Sequence, residues 1–328
     1  MSSPTIPTLE VEDLKTYFFT EAGVAKAVDG VSFSIAPGQV MGLVGESGSG
    51  KSMTGYSIVG LIDKPGEIVA GKVLFKGQDL RSMPQERLRQ LRGKNIAMIF
   101  QDPMMTLNPV LTVGTQMVET VLAHERISRE GARQRACEAL ARVGIASPQE
   151  RLAAYPHQFS GGMRQRVAIA IALLHKPDLI IADEPTTALD VTIQAQILCE
   201  MQKLCRESGT SLIWITHDLS VVAGLADTVS VMYTGKIVEY GTVQDVLLRP
   251  MHPYTRGLIN SLPSRNPRGA PLRQIHGSTP PLLSLPKGCT FRERCPAAGA
   301  ECTQPPPVRK LNQSTVSCWS PFTAQVMS

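Results

Sequence analysis

Short apolar runs alternate with helix-like segments along most of the chain. Three of the runs, at residues 40–44, 179–182 and 212–215, are apolar at nearly every position and are followed by polar residues. Strands that are buried on both faces have this pattern, which is typical of a parallel sheet covered by helices. The repeated order of strand, turn and helix between about residues 9 and 241 therefore predicts an α/β domain with a largely parallel sheet.

Two local patterns add detail to this domain. A helix-rich segment at about residues 104–176 lies between the first and second apolar runs and predicts a helical subdomain. Residues 229–242 (VSVMYTGKIVEYGT) predict two strands that turn at Gly235. After about residue 249 the chain becomes rich in proline, basic residues and cysteine. We therefore expect a main domain at residues 1–250 and a second, small domain at residues 251–328, held together by something other than a large core.

Size and charge restrict the classes of function. The chain has 328 residues, of which 43% are hydrophobic, enough to bury a substantial core. The formal net charge is only +5 and the basic residues are scattered, so a nucleic-acid partner is not expected. The first residues lack the order of a secretory signal. No stretch approaches the roughly 18 uninterrupted apolar residues of a membrane-spanning helix, so any membrane attachment is expected to depend on partner proteins.

A glycine-rich segment with the pattern GxxxxGK[ST] follows the first apolar run and precedes a helix-like segment. In this context glycines let backbone N–H groups turn inward around a β-phosphate, and the start of the helix adds its positive dipole end. We expect Lys51 to reach the β- and γ-phosphates, the Ser52 hydroxyl to bind Mg²⁺, and Glu46 to face solvent. The predicted phosphate loop comprises Gly45, Glu46, Ser47, Gly48, Ser49, Gly50, Lys51 and Ser52.

Two adjacent carboxylates end the second apolar run. Asp183 is at the predicted tip of this strand, where it can hold Mg²⁺ through the water shell of the ion, and Glu184 is placed to polarise an attacking water. Two solvated acids at the end of a strand are common on their own. A phosphate loop earlier in the same chain favours the catalytic interpretation.

The phosphate loop alone fits kinases, GTPases and many other enzymes, and a second motif narrows the choice. Residues 159–166, FSGGMRQR, resemble the LSGGQ signature loop of ABC ATPases, with Phe in place of Leu and Met in place of Gln. Gln101 then resembles the Q-loop glutamine, the segment Ala188-Leu189-Asp190 the D-loop, and His217 the switch histidine. The resemblance implies an ABC ATPase nucleotide-binding domain, with a RecA-like parallel sheet core, an antiparallel β part and a helical insert.

The resemblance also implies a role for each matched residue. Glu184 would be the general base, His217 would contact the γ-phosphate and position the water, and Gln101 would sense Mg²⁺ and couple to membrane subunits. Phe18 lies where the family has an aromatic residue that stacks on adenine, and the neighbouring Tyr17 is the alternative. The signature loop would bind the γ-phosphate of ATP held by a partner subunit, using Ser160, Gly161, Gly162 and Met163.

Several segments resemble the ATPase subunits of dipeptide and oligopeptide importers in particular. They are the phosphate loop, FQDPM at residues 100–104 with LNP at 107–109, DEPTTALDVT at 183–192, and HPYT at 252–255. The resemblance implies a peripheral ATPase on the cytoplasmic face of the bacterial inner membrane. Its implied partners are a second ATPase subunit in a heterodimer, two transmembrane permeases and a solute-binding protein. Close relatives import nickel, glutathione or other small solutes with nearly the same ATPase, so the cargo stays open.

Two other functions compete with transport. A non-transport ABC ATPase acting on ribosomes or DNA typically has tandem cassettes or a long coiled-coil insertion, and this sequence shows neither. An iron–sulfur regulatory or redox-sensing protein would not need a complete hydrolytic set, which here comprises Lys51, Asp183, Glu184 and His217.

Four cysteines occur near the end of the chain: Cys289, Cys295, Cys302 and Cys318. In a cytosolic protein such a group favours metal binding over disulfides. The spacing is wider than in the CxxC pairs of zinc ribbons and fits a four-thiolate iron–sulfur cluster at least as well. The peptide-importer subfamily has a similar cysteine set, which in some members holds a 4Fe-4S cluster. We expect such a cluster to help fold the small domain, with zinc or free thiols as alternatives.

Overall fold

The computed structural model describes residues 6–186, 189–269, 271–311 and 313–322. The strands are β1 (Leu9–Thr20), β2 (Gly23–Ile35), β3 (Val40–Val44), β4 (Gly66–Phe75), β5 (Gln78–Asp79), β6 (Ile96–Ile99), β7 (Leu179–Asp183), β8 (Ser211–Thr216), β9 (Thr228–Tyr233), β10 (Lys236–Thr242), β11 (Val308–Leu311) and β12 (Ser314–Ser317). The helices are α1 (Lys51–Val59), α2 (Gln85–Leu91), α3 (Val113–Leu122), α4 (Arg129–Arg142), α5 (Pro148–Arg151), α6 (Gly161–Leu173), α7 (Val191–Ser208), α8 (Leu219–Leu225), α9 (Val243–Leu248) and α10 (Pro253–Asn260). Within the described residues, none of these helices combines the length and the hydropathy needed to cross a bilayer.

The chain forms two compact units, and neither is continuous in sequence. The first contains the described residues of 6–9, 35–40 and 82–214. The second contains residues 10–34 and 41–81 and the described residues from 215 to 322. The three apolar runs predicted as strands are confirmed, because they form β3, β7 and β8.

In the first unit a parallel strand pair carries a group of helices. β6 runs parallel to β7, from the pair Ile96 and Leu179 to the pair Ile99 and Ala182. All five residues of β7 are buried, as a strand covered on both faces requires. Helices α3 to α6 lie within residues 104–176, and α4 packs against both α3 and α6. The end of β7 and the start of α6 are the places in this unit where the sequence predicts functional residues.

In the second unit the strand that precedes the predicted phosphate loop belongs to a mixed sheet. β3 runs parallel to β9, and β9 pairs with β10 in an antiparallel hairpin. Gly235 lies in the turn of this hairpin with a φ of +82°, which confirms the predicted strand pair. β10 continues antiparallel to β12, and β12 to β11. A second sheet has the strand order β2-β1-β4-β5.

The C-terminal segment shares the hydrophobic core of the second unit. Tyr254 and Phe291 pack with Tyr233 of β9, at ring-centroid distances of 4.6 Å for Tyr233–Tyr254 and 5.3 Å for Tyr233–Phe291. Cys289 and Cys295 pack against the same core. A separate small domain is therefore not confirmed. The proline-rich composition of the segment did not indicate that its aromatic residues pack into the larger core.

Candidate active site

The predicted phosphate loop connects β3 to α1 and has a backbone that requires glycine at two points. Gly45 has a φ of +157° and Gly50 a φ of +102°. An added Cβ at Gly45 would lie 2.2 Å from the backbone oxygen of Met232, and one at Gly50 would lie 2.1 Å from that of Ala27. No side chain fits at such distances, so the loop keeps the tight curvature that lets backbone N–H groups converge on an anion.

Lys51 begins helix α1 and points back into the loop. Its side chain is 5% exposed, and its Nζ donates hydrogen bonds to the carbonyl oxygens of Gly45 at 2.9 Å and Glu46 at 3.0 Å. Ser52 follows as the second residue of the helix. The nine-residue helix brings its positive dipole end to the same place. The loop thus offers a buried cation and backbone donors to a phosphate chain.

Glu46 is half-buried and paired with other residues instead of simply facing solvent, which corrects the expectation from the sequence. Its carboxylate binds the Arg294 guanidinium through contacts of 2.6 Å and 2.9 Å, and its backbone N–H donates to the Tyr254 hydroxyl at 2.8 Å. Both partners lie more than 200 residues further along the chain. The local sequence of the loop contains no signal for them, so sequence reasoning missed both residues.

The two acidic residues lie at the end of β7, where the sequence predicts them. Asp183 is the last residue of the strand and is 1% exposed. Glu184 has a φ of +42°, an uncommon backbone conformation for a residue with a side chain. Nε2 of Gln101 lies 3.4 Å from Oε2 of Glu184, so the structure brings the predicted Q-loop glutamine to the predicted base. This contact holds an amide beside the carboxylate that is expected to polarise water.

The predicted signature loop forms the start of α6. The Ser160 hydroxyl accepts a hydrogen bond from the Met163 backbone N–H at 3.3 Å and caps the helix, which begins at Gly161. A Cβ added at Gly162 would lie 3.3 Å from the Leu189 side chain, so this loop packs beside the predicted D-loop.

Within the D-loop, Asp190 has a structural role that the sequence reasoning did not identify. Its carboxylate accepts a hydrogen bond from the Ile193 backbone N–H at 3.0 Å and caps α7. Ala188, the first residue of the predicted D-loop, lies outside the described residues.

The two candidate adenine-stacking aromatics are adjacent on β1 and have different surroundings. The Tyr17 hydroxyl donates to Asp29 at 2.6 Å, and the Lys26 ammonium lies 5.4 Å from the centre of the Tyr17 ring. Burial, followed by the Asp29 carboxylate, raises the pKa of Tyr17 to about 12. The Phe18 ring packs at Gly66, where an added Cβ would be 2.7 Å from it. Both rings are half-buried, so the choice between them stays a prediction.

His217 directly follows β8, where the sequence predicts the switch histidine. Its side chain is exposed. The next residue, Asp218, caps α8 by accepting a hydrogen bond from the Ser220 backbone N–H at 2.8 Å. The strand end and the capped helix fix the backbone on both sides of His217.

The four C-terminal cysteines lie in the second unit. The Cys289 N–H donates to the Cys302 carbonyl at 2.9 Å. Burial raises the pKa of Cys318 to about 11, and repulsion from Cys289, Cys295 and Cys302 adds to this rise. The four thiols are thus electrostatic neighbours, a donor set of the kind that a thiolate-ligated group uses. Among the described residues, however, no three or more His, Cys, Asp or Glu side chains have the arrangement of a metal site.

Comparison with known proteins identifies the family to which this chain is similar. Residues 28–187 match the family model described as ABC transporter, and residues 238–302 match the one described as oligopeptide/dipeptide transporter, C-terminal region. The dipeptide transport ATP-binding protein DppD of Bacillus subtilis is 49% identical over 314 residues, which cover 95% of this chain and 94% of that protein. The oligopeptide transport ATP-binding protein OppD of Salmonella typhimurium is 46% identical over 319 residues, covering 97% and 95%.

Solved structures share the fold of the nucleotide-binding part. The ATP-binding cassette MJ0796, in a dimeric post-hydrolysis state bound to ADP and Pi, matches with a TM-score of 0.66 and 28% identity. The match covers 72% of this chain and 98% of that one.

Proposed function

Because the chain belongs to the ABC transporter family, in its branch of dipeptide and oligopeptide transport ATP-binding proteins, we propose that it hydrolyses ATP to drive peptide uptake across a bacterial inner membrane. The observation that carries this proposal is the phosphate loop, in which glycines hold a tight turn and the buried Lys51 points back into the loop from the start of α1. The chain would work as a peripheral subunit on the cytoplasmic face of the membrane.

Each residue of the site would have its own role in ATP binding or hydrolysis. Lys51 and the loop N–H groups would bind the β- and γ-phosphates, and His217 would contact the γ-phosphate. Glu184 would accept a proton as water attacks the γ-phosphorus, while the bond to the leaving ADP breaks. Ser52, Asp183 and Gln101 offer the oxygen ligands that Mg²⁺ prefers, and the ion would neutralise charge on the phosphates. Tyr17 or Phe18 would stack on adenine.

Hydrolysis would need two chains. The signature loop, with the Ser160 cap and the open N-terminus of α6, would bind the γ-phosphate of ATP on a partner ATPase subunit. MJ0796, a dimeric cassette of the same fold, supports such a pairing. We propose a heterodimer with a second ATPase, joined to two permeases and served by a solute-binding protein.

Substitution of the predicted base tests the catalytic assignment. Glu184→Gln should lower ATP turnover by roughly 10²- to 10⁴-fold, because the attacking water loses its proton acceptor. Nucleotide affinity should be retained, since the phosphate loop is unchanged. Glu150→Gln makes the same chemical change at an exposed position on α5 and should turn over ATP at the wild-type rate. Wild-type turnover in the Glu184→Gln variant would remove this residue from the mechanism.

The cargo is tested by uptake measurements on the assembled transporter. Peptide is favoured because relatives named for dipeptide and oligopeptide transport align over nearly the whole chain. ATP-dependent uptake of a labelled dipeptide or oligopeptide, abolished by Lys51→Ala, is the expected result. Uptake of nickel or glutathione in place of peptide would keep the ATPase assignment and replace the cargo.

We also propose that Cys289, Cys295, Cys302 and Cys318 bind one metal group, a 4Fe-4S cluster in preference to zinc. The electrostatic proximity of the four thiols supports this proposal. Because burial raises the pKa of the Cys289, Cys295 and Cys318 thiols, binding would have to displace protons, and the group should be retained better at higher pH. Anaerobic purification should yield iron, sulfide and broad visible absorption. A colourless protein with stoichiometric zinc would overturn the assignment.

A further inference from the structure

Glu46 places a carboxylate in a loop that is built to bind a highly charged anion. Its side chain is 29% exposed, so solvent screens its charge only in part. An uncompensated negative charge here would repel a triphosphate and attract Lys51. The structure contains a specific neutralising partner for this carboxylate.

Arg294 supplies the compensating charge through a bidentate ion pair. Its Nη1 and Nη2 bind the two carboxylate oxygens of Glu46, and the Arg294 side chain is only 6% exposed. Its Nε donates to the His276 carbonyl at 2.9 Å, which fixes the plane of the guanidinium. Paired N–H donors in a fixed plane match the geometry of a carboxylate, so this contact is directional as well as charged.

Two further contacts from the C-terminal segment hold Glu46. The Tyr254 hydroxyl accepts the Glu46 backbone N–H at 2.8 Å, and the Thr279 hydroxyl donates to its carboxylate at 2.9 Å. Tyr254 is completely buried. Both the backbone and the side chain of the second residue of the loop are therefore tied to the segment 254–294.

Lys51 links this anchoring to nucleotide binding. Its Nζ donates to the backbone carbonyls of Gly45 and Glu46, so the position of their peptide groups sets the position of the ammonium. Burial opposes ionisation of the Glu46 carboxyl, but the contacts with Arg294 and Thr279 and the charge of Lys51 outweigh it and lower the pKa of Glu46. Glu46 is therefore ionised at neutral pH, and its negative charge attracts the Lys51 ammonium.

We propose that Arg294 is a positioning residue for ATP binding: it neutralises Glu46 and holds the phosphate loop open, so that Lys51 remains available to the phosphates. The Tyr254 hydroxyl assists by fixing the Glu46 backbone. The proposal rests on the proposed function, because it requires this loop to bind ATP. The ATP affinity of the wild-type chain tests that requirement separately.

A pair of substitutions tests this role through rescue. In the full-length chain, Arg294→Ala should weaken ATP affinity by roughly 10- to 100-fold, the effect of one uncompensated charge at a partly buried site. Adding Glu46→Gln to Arg294→Ala removes that charge and should restore affinity to within about threefold of wild type. Arg294→Lys keeps the charge but not the bidentate geometry and should give a smaller loss than Arg294→Ala.

Titration calorimetry with ATP and with ADP, together with melting temperatures, gives the readout. Arg292→Ala is the matched control, because the Arg292 guanidinium donates to the Lys287 carbonyl and its loss should leave affinity unchanged. Unchanged affinity in Arg294→Ala would overturn the proposal. So would a loss that Glu46→Gln fails to rescue, because this would assign Arg294 a merely structural role. A wild-type chain that binds no ATP would instead refute the proposed function.

Discussion

His252 shows how a single residue can stabilise the start of the C-terminal segment. Its side chain is 2% exposed, and its Nδ1 accepts a hydrogen bond from the Tyr254 N–H at 3.0 Å, which caps α10. Its own backbone N–H donates to the buried carboxylate of Glu239 at 2.9 Å. Burial lowers the pKa of His252 to about 3, so the imidazole is neutral in the folded protein at neutral pH.

This burial predicts a pH-dependent loss of stability. In the unfolded chain His252 takes up a proton below about pH 6.5. In the folded chain it stays neutral until the pH falls to about 3. The free energy of unfolding should therefore fall by about 1.4 kcal/mol per pH unit through this window, or roughly 2 kcal/mol between pH 7 and 5. His252→Asn keeps a capping side chain without a titrating group and should lack this loss.

Urea unfolding of both proteins at pH 7 and pH 5 measures the difference. Burial raises the pKa of Glu239, which acts with the opposite sign, because the folded state then binds the proton more readily. That contribution is present in both proteins and cancels in the comparison. Equal pH slopes for wild type and His252→Asn would show that His252 is protonated in the folded state.

At the scale of elements, the buried middle of helix α6 has a structural role, whereas its first turn has the proposed functional role. The helix is anchored by a continuous buried run from Gln165 to Ala170, and Arg166 donates to the Val143 and Gly144 carbonyls at 3.0 and 3.1 Å. Its first turn is capped by the Ser160 hydroxyl and is partly exposed. Changes at Ser160 should therefore alter the start of α6 without unfolding the helix.

Ser160→Arg should leave the ATP affinity of the isolated chain nearly intact and abolish ATP hydrolysis in the assembled transporter. The bulky cation would block the anion site that is proposed to act on the partner's ATP. Ser160→Asn retains a capping side chain and separates steric blocking from loss of the cap, which alone costs about 1 kcal/mol of stability. Loss of ATP binding in the isolated Ser160→Arg chain would contradict a role toward the partner subunit.

Elements whose signals are local were predictable from the sequence, and long-range contacts were not. The strands β3, β7 and β8 and the hairpin at Gly235 follow from residues within a few positions of one another. Glu46 was misassigned because its partners Tyr254 and Arg294 are 208 and 248 positions away. A single sequence carries no periodicity or spacing that couples residues at such separations.

At the scale of the whole molecule, the C-terminal segment shares a hydrophobic core with the strand that precedes the phosphate loop. Phe291 and Tyr254 pack in one cluster with Tyr233 and with Val44, the residue immediately before Gly45. This contrasts with the small domain expected from composition, in which a bound group would replace a core. Aromatic side chains bury large areas, so a few of them suffice to join a proline-rich segment to a sheet.

Phe291→Ala should therefore destabilise the phosphate loop together with the C-terminal segment, by about 3–5 kcal/mol. The expected result is a single unfolding transition in which tyrosine fluorescence and nucleotide binding are lost at the same, lower temperature. Leu272→Ala, at a position that is 50% exposed in the same segment, should leave that temperature nearly unchanged. If Phe291→Ala instead unfolds the C-terminal segment first while nucleotide binding persists to the wild-type temperature, the segment folds as an independent domain. A shared core allows only the coincident loss, because removing the ring leaves a cavity next to the strand that carries the loop.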